Sequence, residues 1–478
     1  METRILISIC VMMLLCSAAT AETYYVSLQG DDANDGKTAE TTFRTVKKGV
    51  SVLQAGDTLI IKSGNYGNER AVVSASGTPQ SPITIKAEET GKVILKGTGG
   101  GNGIFMQNKN HILVEGIEFG NYGAGIGIKY ASSYVTVRKC VFRENNSFGI
   151  LVYGNFRKPE SSQGIVLTEN TFLDFTDKQD YGLCLYASCN LKATNNYFYG
   201  VHHQALSFKK LMKDSVASGN VFEGFRYSAI YLGQNDDSTD EGYLRSERLL
   251  AEGNVFRPTK GYHAKSSIVV ANVTDAIVRN NFVDSVYGGE PFSDKNQFPG
   301  SGIHIAPVST GAKIYGNLII NAMKQKPAFL VRADCEIYNN TIVGSGYGMV
   351  IVPGANPIVR NNIFYRNEKQ VDFDVARIET WNTTEHMSRR EPGKPVWTWK
   401  PDMSKKPVFE HNNWFPRWDG MGETDISVDP KFVGPFKPLK VGGLNPVFTP
   451  DFKRAEAYKL SDDSPCKGMG AFETKASK

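Results

Sequence analysis

Cysteine is sparse in this sequence: seven in 478 residues, and two of those, Cys10 and Cys16, sit in the first apolar run. The other five are Cys140, Cys184, Cys189, Cys335 and Cys466, an odd number, so any disulfide set leaves at least one thiol over. None has C-x-x-C spacing, which argues against a zinc site. They read as small buried residues, with Cys184–Cys189 as the one candidate bridge. Long apolar runs are absent after the N-terminus, so no membrane span is expected. A strong charge excess is absent too. With 54 basic and 49 acidic residues the net charge is +5, too mild for a nucleic-acid binder and leaning only slightly towards acidic partners.

The single apolar run lies at the start. Arg4, then "ILISICVMMLL", then "ATA" at 19–21 have the three parts of a secretory signal peptide over residues 1–21. A mature chain from about Glu22 is expected, secreted or periplasmic. A lipoprotein anchored through Cys16 is the lesser reading, because Leu15 stands where a small residue is needed.

The rest of the chain is a repeat. The pattern apolar-x-(G/N)-N-x-(F/I) recurs as "LTENTF" (167), "ATNNYF" (193), "ASGNVF" (217), "AEGNVF" (251), "VRNNFV" (278), "IYGNLI" (314), "IYNNTI" (337) and "VRNNIF" (359). The shortest intervals are in the low twenties. Between the copies runs a second strand, small-apolar-x-apolar, as in "GIGIKY" (125), "GLCLYA" (182), "ALSFKK" (205) and "GIHIAP" (302). Its period of two marks half-buried strands and excludes helical repeats. Coils stacked at this period place Asn170, Asn196, Asn220, Asn254, Asn281, Asn317, Asn340 and Asn362 in one column, where their amides can bond along the stack. The expected fold is all-β: a right-handed parallel β-helix, the hand following from the chirality of parallel connections. One domain is expected over 22–478. It has coils over about 83–366, an amphipathic capping helix at 43–53, and an irregular C-terminal cap at 367–478 that carries three of the five tryptophans in "ETWNTTEHMSRREPGKPVWTWKPD".

Alternation also sorts the faces. In "QALSFKK", Leu206 and Phe208 point inward, and Ser207 and Lys209 outward. Down the stack the column of Lys209 holds Lys129, Tyr153, Tyr186, Gly233, Ala271, Ala306 and Arg332. The column of Ser207 holds Gly127, Leu151, Cys184, Tyr231, Val269, His304 and Leu330. Tyrosines beside basic groups suit sugar rings. Insertions at 154–163, 234–248 and 286–300 are placed to wall a groove on this face.

The segments "YYVSLQGDDANDGKTAETTFRTVKKGV…LQAGDTLIIKSGNY" and "SPITIKAEETGKVILKG", with the closing "DPKFVGP…AYKLSDDSPCKGMGAFE", resemble secreted pectate-lyase-like β-helix proteins. That superfamily spans lyases, hydrolases, epimerases and binding proteins. "QALSFK", Gln204 to Lys209, is similar to the D-G-F-x-x-K strand of the family-9 pectate lyases, and the resemblance implies that Lys209 is the catalytic base. Gln204 stands where that family has aspartate. "NNYFYGVHH" lacks its acidic calcium cluster.

The function expected is β-elimination in an acidic, uronate-containing polysaccharide. A base removes the proton α to the carboxylate, another group stabilises the enediolate, and an acid protonates the leaving oxygen. Lys209 is the candidate base, His203 and Tyr186 its candidate helpers. Lys129, Tyr153, Tyr231, His304, Arg332 and Lys210 are the candidate substrate contacts. On strand pattern alone Lys209 is a surface lysine, and His202 and His203 are a turn pair. Calcium is the one cofactor considered, with Asp177 and Asp180 in "FTDKQD" and Asp236 and Asp237 in "NDDSTDE" as candidate ligands. A glycoside hydrolase is the alternative, needing two carboxylates about 5–10 Å apart. Its candidates, Asp180, Asp236, Asp237, Glu290 and Asp294, all lie off the outward strand positions. A glycan-binding β-helix without catalysis and a C5-epimerase are the other readings. A monomer is expected.

Overall fold

The computed structural model describes residues 20–175, 180–233, 245–257, 266–286, 301–322, 327–373, 404–434 and 455–472. The signal-peptide reading therefore lies outside the described residues except at its last two positions. Three long sheets, of fourteen, twelve and thirteen strands, run the length of the molecule. Within each, every strand pairs in parallel with the strand one coil away, as Leu183, Leu206 and Ile230 do in the second sheet. Each coil contributes one strand to each sheet. The coil around Lys209 gives Lys192–Thr194 to the first sheet, Tyr197–Val201 to the third and Gln204–Phe208 to the second. The result is the expected right-handed parallel β-helix.

The repeat pattern has a separate reason at each position. The residue before each ladder asparagine takes the left-handed conformation, with φ of 54° at Asn195, 64° at Gly219 and 62° at Gly253, so glycine or asparagine is favoured there. The asparagine that follows is buried and bonds to the next coil. Asn220 Nδ2 donates to the Ala193 carbonyl at 3.0 Å and to Asn254 Oδ1 at 2.9 Å, while Asn220 Oδ1 accepts from the Asn196 backbone N–H and from Asn196 Nδ2, each at 3.0 Å. The ladder runs on through Asn362 to Asn412, whose amide is closed off by the Asp425 carboxylate. Inside, Phe119, Phe142, Phe172, Phe198, Phe222 and Phe256 form a stack with ring centroids 4.7–5.4 Å apart. Glycines near the start of second-sheet strands, Gly103, Gly125, Gly149 and Gly182, face this stack. A Cβ on Gly149 would lie 2.6 Å from the Phe172 ring.

The coils extend beyond the stretch that the repeat spelled. Thr23–Val26 and Thr58–Ile61 begin the first sheet, and Val408–Glu410 and Asn413–Phe415 add a coil after 366. The early coils bond in the same ladders without the asparagine signature, which is why the pattern does not reveal them. The helix Val46–Val52 packs on the first coil, its N-terminus capped by Thr45 Oγ1, which accepts from the Lys48 N–H. Of the tail, 374–403 and 435–454 lie outside the described residues, with the three tryptophans of the quoted segment. At the last coil Trp414 stacks on Phe364 with centroids 4.1 Å apart.

The five cysteines described are free and buried, so the Cys184–Cys189 bridge does not form. Cys184 sits mid-strand, and the left-handed turn at Ala187 carries Cys189 into a separate ladder. No helix among the described residues is long and apolar enough to cross a membrane.

The three outer faces differ. The first sheet carries surface ion pairs such as Arg279–Glu252 and Arg360–Glu336. On the third, Ala455, Tyr458, Cys466 and Ala471 of the C-terminal segment pack with Leu318, Val343, Ile363 and Tyr365. The second bears a row of buried polar and charged groups.

Candidate active site

Gln204–Phe208 lies near the middle of the second sheet, between Tyr181–Tyr186 on one side and Ser228–Gly233 on the other. Leu206 and Phe208 are fully buried in the core, as the alternation requires. The alternation breaks at the start of the strand. Ala205 also packs into the core, so two successive residues point inward and Gln204 falls on the outer face with Ser207 and Lys209.

Lys209 is not a surface lysine. It is 5% exposed, and its Nζ turns back along its own strand to donate to Gln204 Oε1 at 2.6 Å. Ser207 Oγ donates to the same oxygen. Two ring faces enclose the nitrogen, Tyr181 at 4.8 Å and Tyr231 at 5.3 Å from the ring centroids. Burial pushes the amine down from 10.5 to about 8. The Cys184 thiol in the neighbouring coil acts the other way, and Lys210 adds to the fall. A lysine so placed has a free amine within reach of neutral pH.

The expected helpers are placed differently. Tyr186 lies alongside Lys209 but leans towards Tyr153 and Phe156, with centroids 5.4 and 6.1 Å away. His203 stacks on Tyr227 at 4.9 Å and meets the edge of Tyr181 at 4.8 Å, so it stands one ring behind the lysine. Lys210 is half-buried at the following turn. Tyr153 and Lys129 continue the column towards the N-terminus, with Tyr153 39% exposed and Lys129 Nζ 5.9 Å over the Phe105 ring. On the C-terminal side His304 and Arg332 are both buried. Burial, with Arg332 beside it, pushes His304 well below its ordinary 6.5. Burial also weighs against the Arg332 charge, which Tyr231 supports. The side chains of Arg332 and Tyr231 thus interact across the small residues Gly233, Ala271 and Ala306.

The groups that the sequence reading missed are Gln204 as the lysine's partner, Tyr181 and Tyr227. All lie at or just before the first position of the strand, where the period of two gives no face. Of the insertions, 154–163 is described and brings Phe156 onto Tyr153. Residues 234–244 and 287–300 lie outside the described residues.

The donor set at Nζ is an amide, a hydroxyl, phenols and a thiol, without the carboxylates that calcium takes. Among the described residues no cluster of three or more His, Cys, Asp or Glu side chains is arranged for a metal. Asp180 is buried next to Tyr181. Asp177, Asp236 and Asp237 lie outside the described residues, as do Glu290 and Asp294.

Residues 24–201 match the family described as Pel9A-like, right handed beta helix region. The resemblance to pectate-lyase-like β-helix proteins therefore holds over that span, which ends before the Gln204–Lys209 motif. No curated protein matches the sequence. Among solved structures, a GH136 lacto-N-biosidase from Eubacterium ramulus superposes with a TM-score of 0.51 at 12% identity, over 74% of this chain and 67% of that one. A complex of XylC with xylose has a TM-score of 0.50 at 12% identity, over 86% and 87%. A rhamnogalacturonan lyase has a TM-score of 0.41 at 15% identity, over 95% and 100%.

Proposed function

We propose that the protein is a secreted polysaccharide lyase that cleaves a uronate-containing glycan by β-elimination, with Lys209 as the base. The observation that carries this reading is the buried Lys209 amine, held by a neutral amide between two tyrosine faces in the middle of the outer face. A surface lysine would remain an ammonium at neutral pH, unable to take a proton.

In the reaction the free amine accepts the proton on C5 of the uronate. That C–H electron pair forms the C4–C5 double bond as the C4–O bond breaks, and the leaving oxygen takes a proton. Lys209 becomes an ammonium, and the products are a new reducing end and an unsaturated uronate. Tyr231 is the proposed donor to the leaving oxygen. Its ring faces Nζ from the following coil. The exposed Tyr153, and Lys129 about 14 Å from Lys209 at three coil spacings, are the proposed sugar and carboxylate contacts towards the N-terminal end. The mechanism draws on side chains alone. Shared fold with the carbohydrate-active proteins above is compatible with this reading but does not select it.

The test is incubation with pectate, alginate and glycosaminoglycans, following the ultraviolet absorbance of the unsaturated product. Growth of that signal, lost in Lys209→Ala, is the expected result. Reducing ends without absorbance would instead mean hydrolysis, and binding without either would mean a non-catalytic protein.

A further inference from the structure

The contact between Gln204 and Lys209 is unusual in what it omits. Lysine held at 2.6 Å in a buried site is commonly met by a carboxylate, and here the acceptor is an amide oxygen. Gln204 is itself buried, and its Oε1 receives Lys209 Nζ and Ser207 Oγ together, filling both lone pairs. The amine then has one N–H committed and its remaining positions facing the rings of Tyr181 and Tyr231.

We propose that Gln204 is the positioning residue of Lys209, its neutral carbonyl fixing Nζ between the two tyrosine faces without the anionic charge that would hold the amine protonated. This rests on Lys209 acting as base. The charged and titratable groups around the nitrogen leave the role to Gln204. From the preceding coil come Tyr181 and Cys184, from the following coil Tyr231, and from the turn Lys210. His203 stands behind Tyr181, and Tyr186 leans away towards Tyr153 and Phe156. Asp180, beside Tyr181, is not among the groups that shift the lysine. Burial alone would equally disfavour an ammonium with no partner, but it would leave the nitrogen unaimed. The amide supplies aim with no charge. When the lysine takes the substrate proton, the same oxygen and the two ring faces accommodate the ammonium until the proton leaves.

Gln204→Glu exchanges the amide for a carboxylate of the same shape, and Gln204→Met removes the acceptor while keeping length. Pulse acetylation of the folded protein over a pH series, with the Lys209 peptide followed by mass spectrometry, reads the amine directly and needs no substrate. In Gln204→Glu the half-labelling pH should rise by about one to two pH units, as for a cation gaining an opposite charge at contact. The acid limb of kcat/KM should move with it, making the variant about tenfold or more slower near pH 7 and closing the gap at higher pH. In Gln204→Met the labelling pH should not rise, while kcat falls and KM holds. A merely structural glutamine would lower activity at every pH and leave the labelling curve in place. An unmoved labelling curve in Gln204→Glu, or full kcat in Gln204→Met, overturns the proposal. If labelling shifts as expected while no polysaccharide is cleaved, the lyase reading fails, and what stands is Gln204 holding Nζ without an opposing charge.

Discussion

Replacing Lys209 by methionine should stabilise the fold while abolishing catalysis. Below pH 8 the lysine is an ammonium in both the folded and the unfolded chain, and the folded site disfavours it. A proton affinity that falls from 10.5 to about 8 corresponds to about 3 kcal/mol at 1.36 kcal/mol per pH unit. That cost is fully present below pH 8. Between about 8 and 10.5 the folded lysine has lost its proton and the unfolded one has not, so stability rises with pH. Above 10.5 both are neutral and the cost is gone. Methionine fits the slot between Tyr181 and Tyr231 without charge. Against the gain stand the lost hydrogen bond to Gln204, about 1 kcal/mol, and the ring contacts to the cation, about 0.5–1 kcal/mol. The net expectation is a variant about 1–2 kcal/mol more stable at pH 7, with the advantage gone by about pH 10.5. Urea denaturation at both pH values, compared at equal slope, measures it. A variant less stable than the parent at pH 7, or a difference that does not change with pH, would refute the reasoning.

The rate of the proposed lyase should climb from pH 6 and level off near pH 8. At pH 7 about a tenth of Lys209 is free amine, against under about a thousandth for an ordinary lysine, and a log rate still rising linearly past pH 10 would contradict this. Tyr231→Phe should lower kcat by about 100-fold, the scale of a lost general acid, while Tyr186→Phe should change it far less. The reverse order in steady-state assays would return the role to Tyr186. Asn220→Ala removes four buried hydrogen bonds and orphans the Asn196 N–H, a loss of about 3–5 kcal/mol read from the denaturation midpoint. Gly149→Ala puts a methyl 2.6 Å from the Phe172 ring and 2.7 Å from the Gly182 carbonyl, and should cost about 1–3 kcal/mol. A neutral result there would mean that the phenylalanine stack yields easily.

The coil was legible because its rules are local. A left-handed turn selects glycine or asparagine, the ladder position selects asparagine, and a pleated strand alternates. Each leaves its mark at a fixed spacing, so the eight ladder asparagines and the inward Leu206 and Phe208 could be placed from sequence. The site was legible only in part. Lys209 was marked by its motif and its outward position. Its burial, and its contacts with Gln204 and Tyr181, were not, because both lie at the first position of a strand, where the alternation gives no face; Tyr231 was placed on the outer face, but not over the amine.

By itself, then, the sequence determined the repeat, the inner and outer faces and the lysine's column, since these depend on residues a few positions apart. Only the tertiary structure decided what occupies the other two outer faces and what the lysine meets on its own. The C-terminal segment packs on the third sheet, ion pairs occupy the first, and the kink at Ala205 turns Gln204 outward to Nζ. Those outcomes depend on stacking coils about 4.8 Å apart, which brings together side chains more than twenty residues distant along the chain.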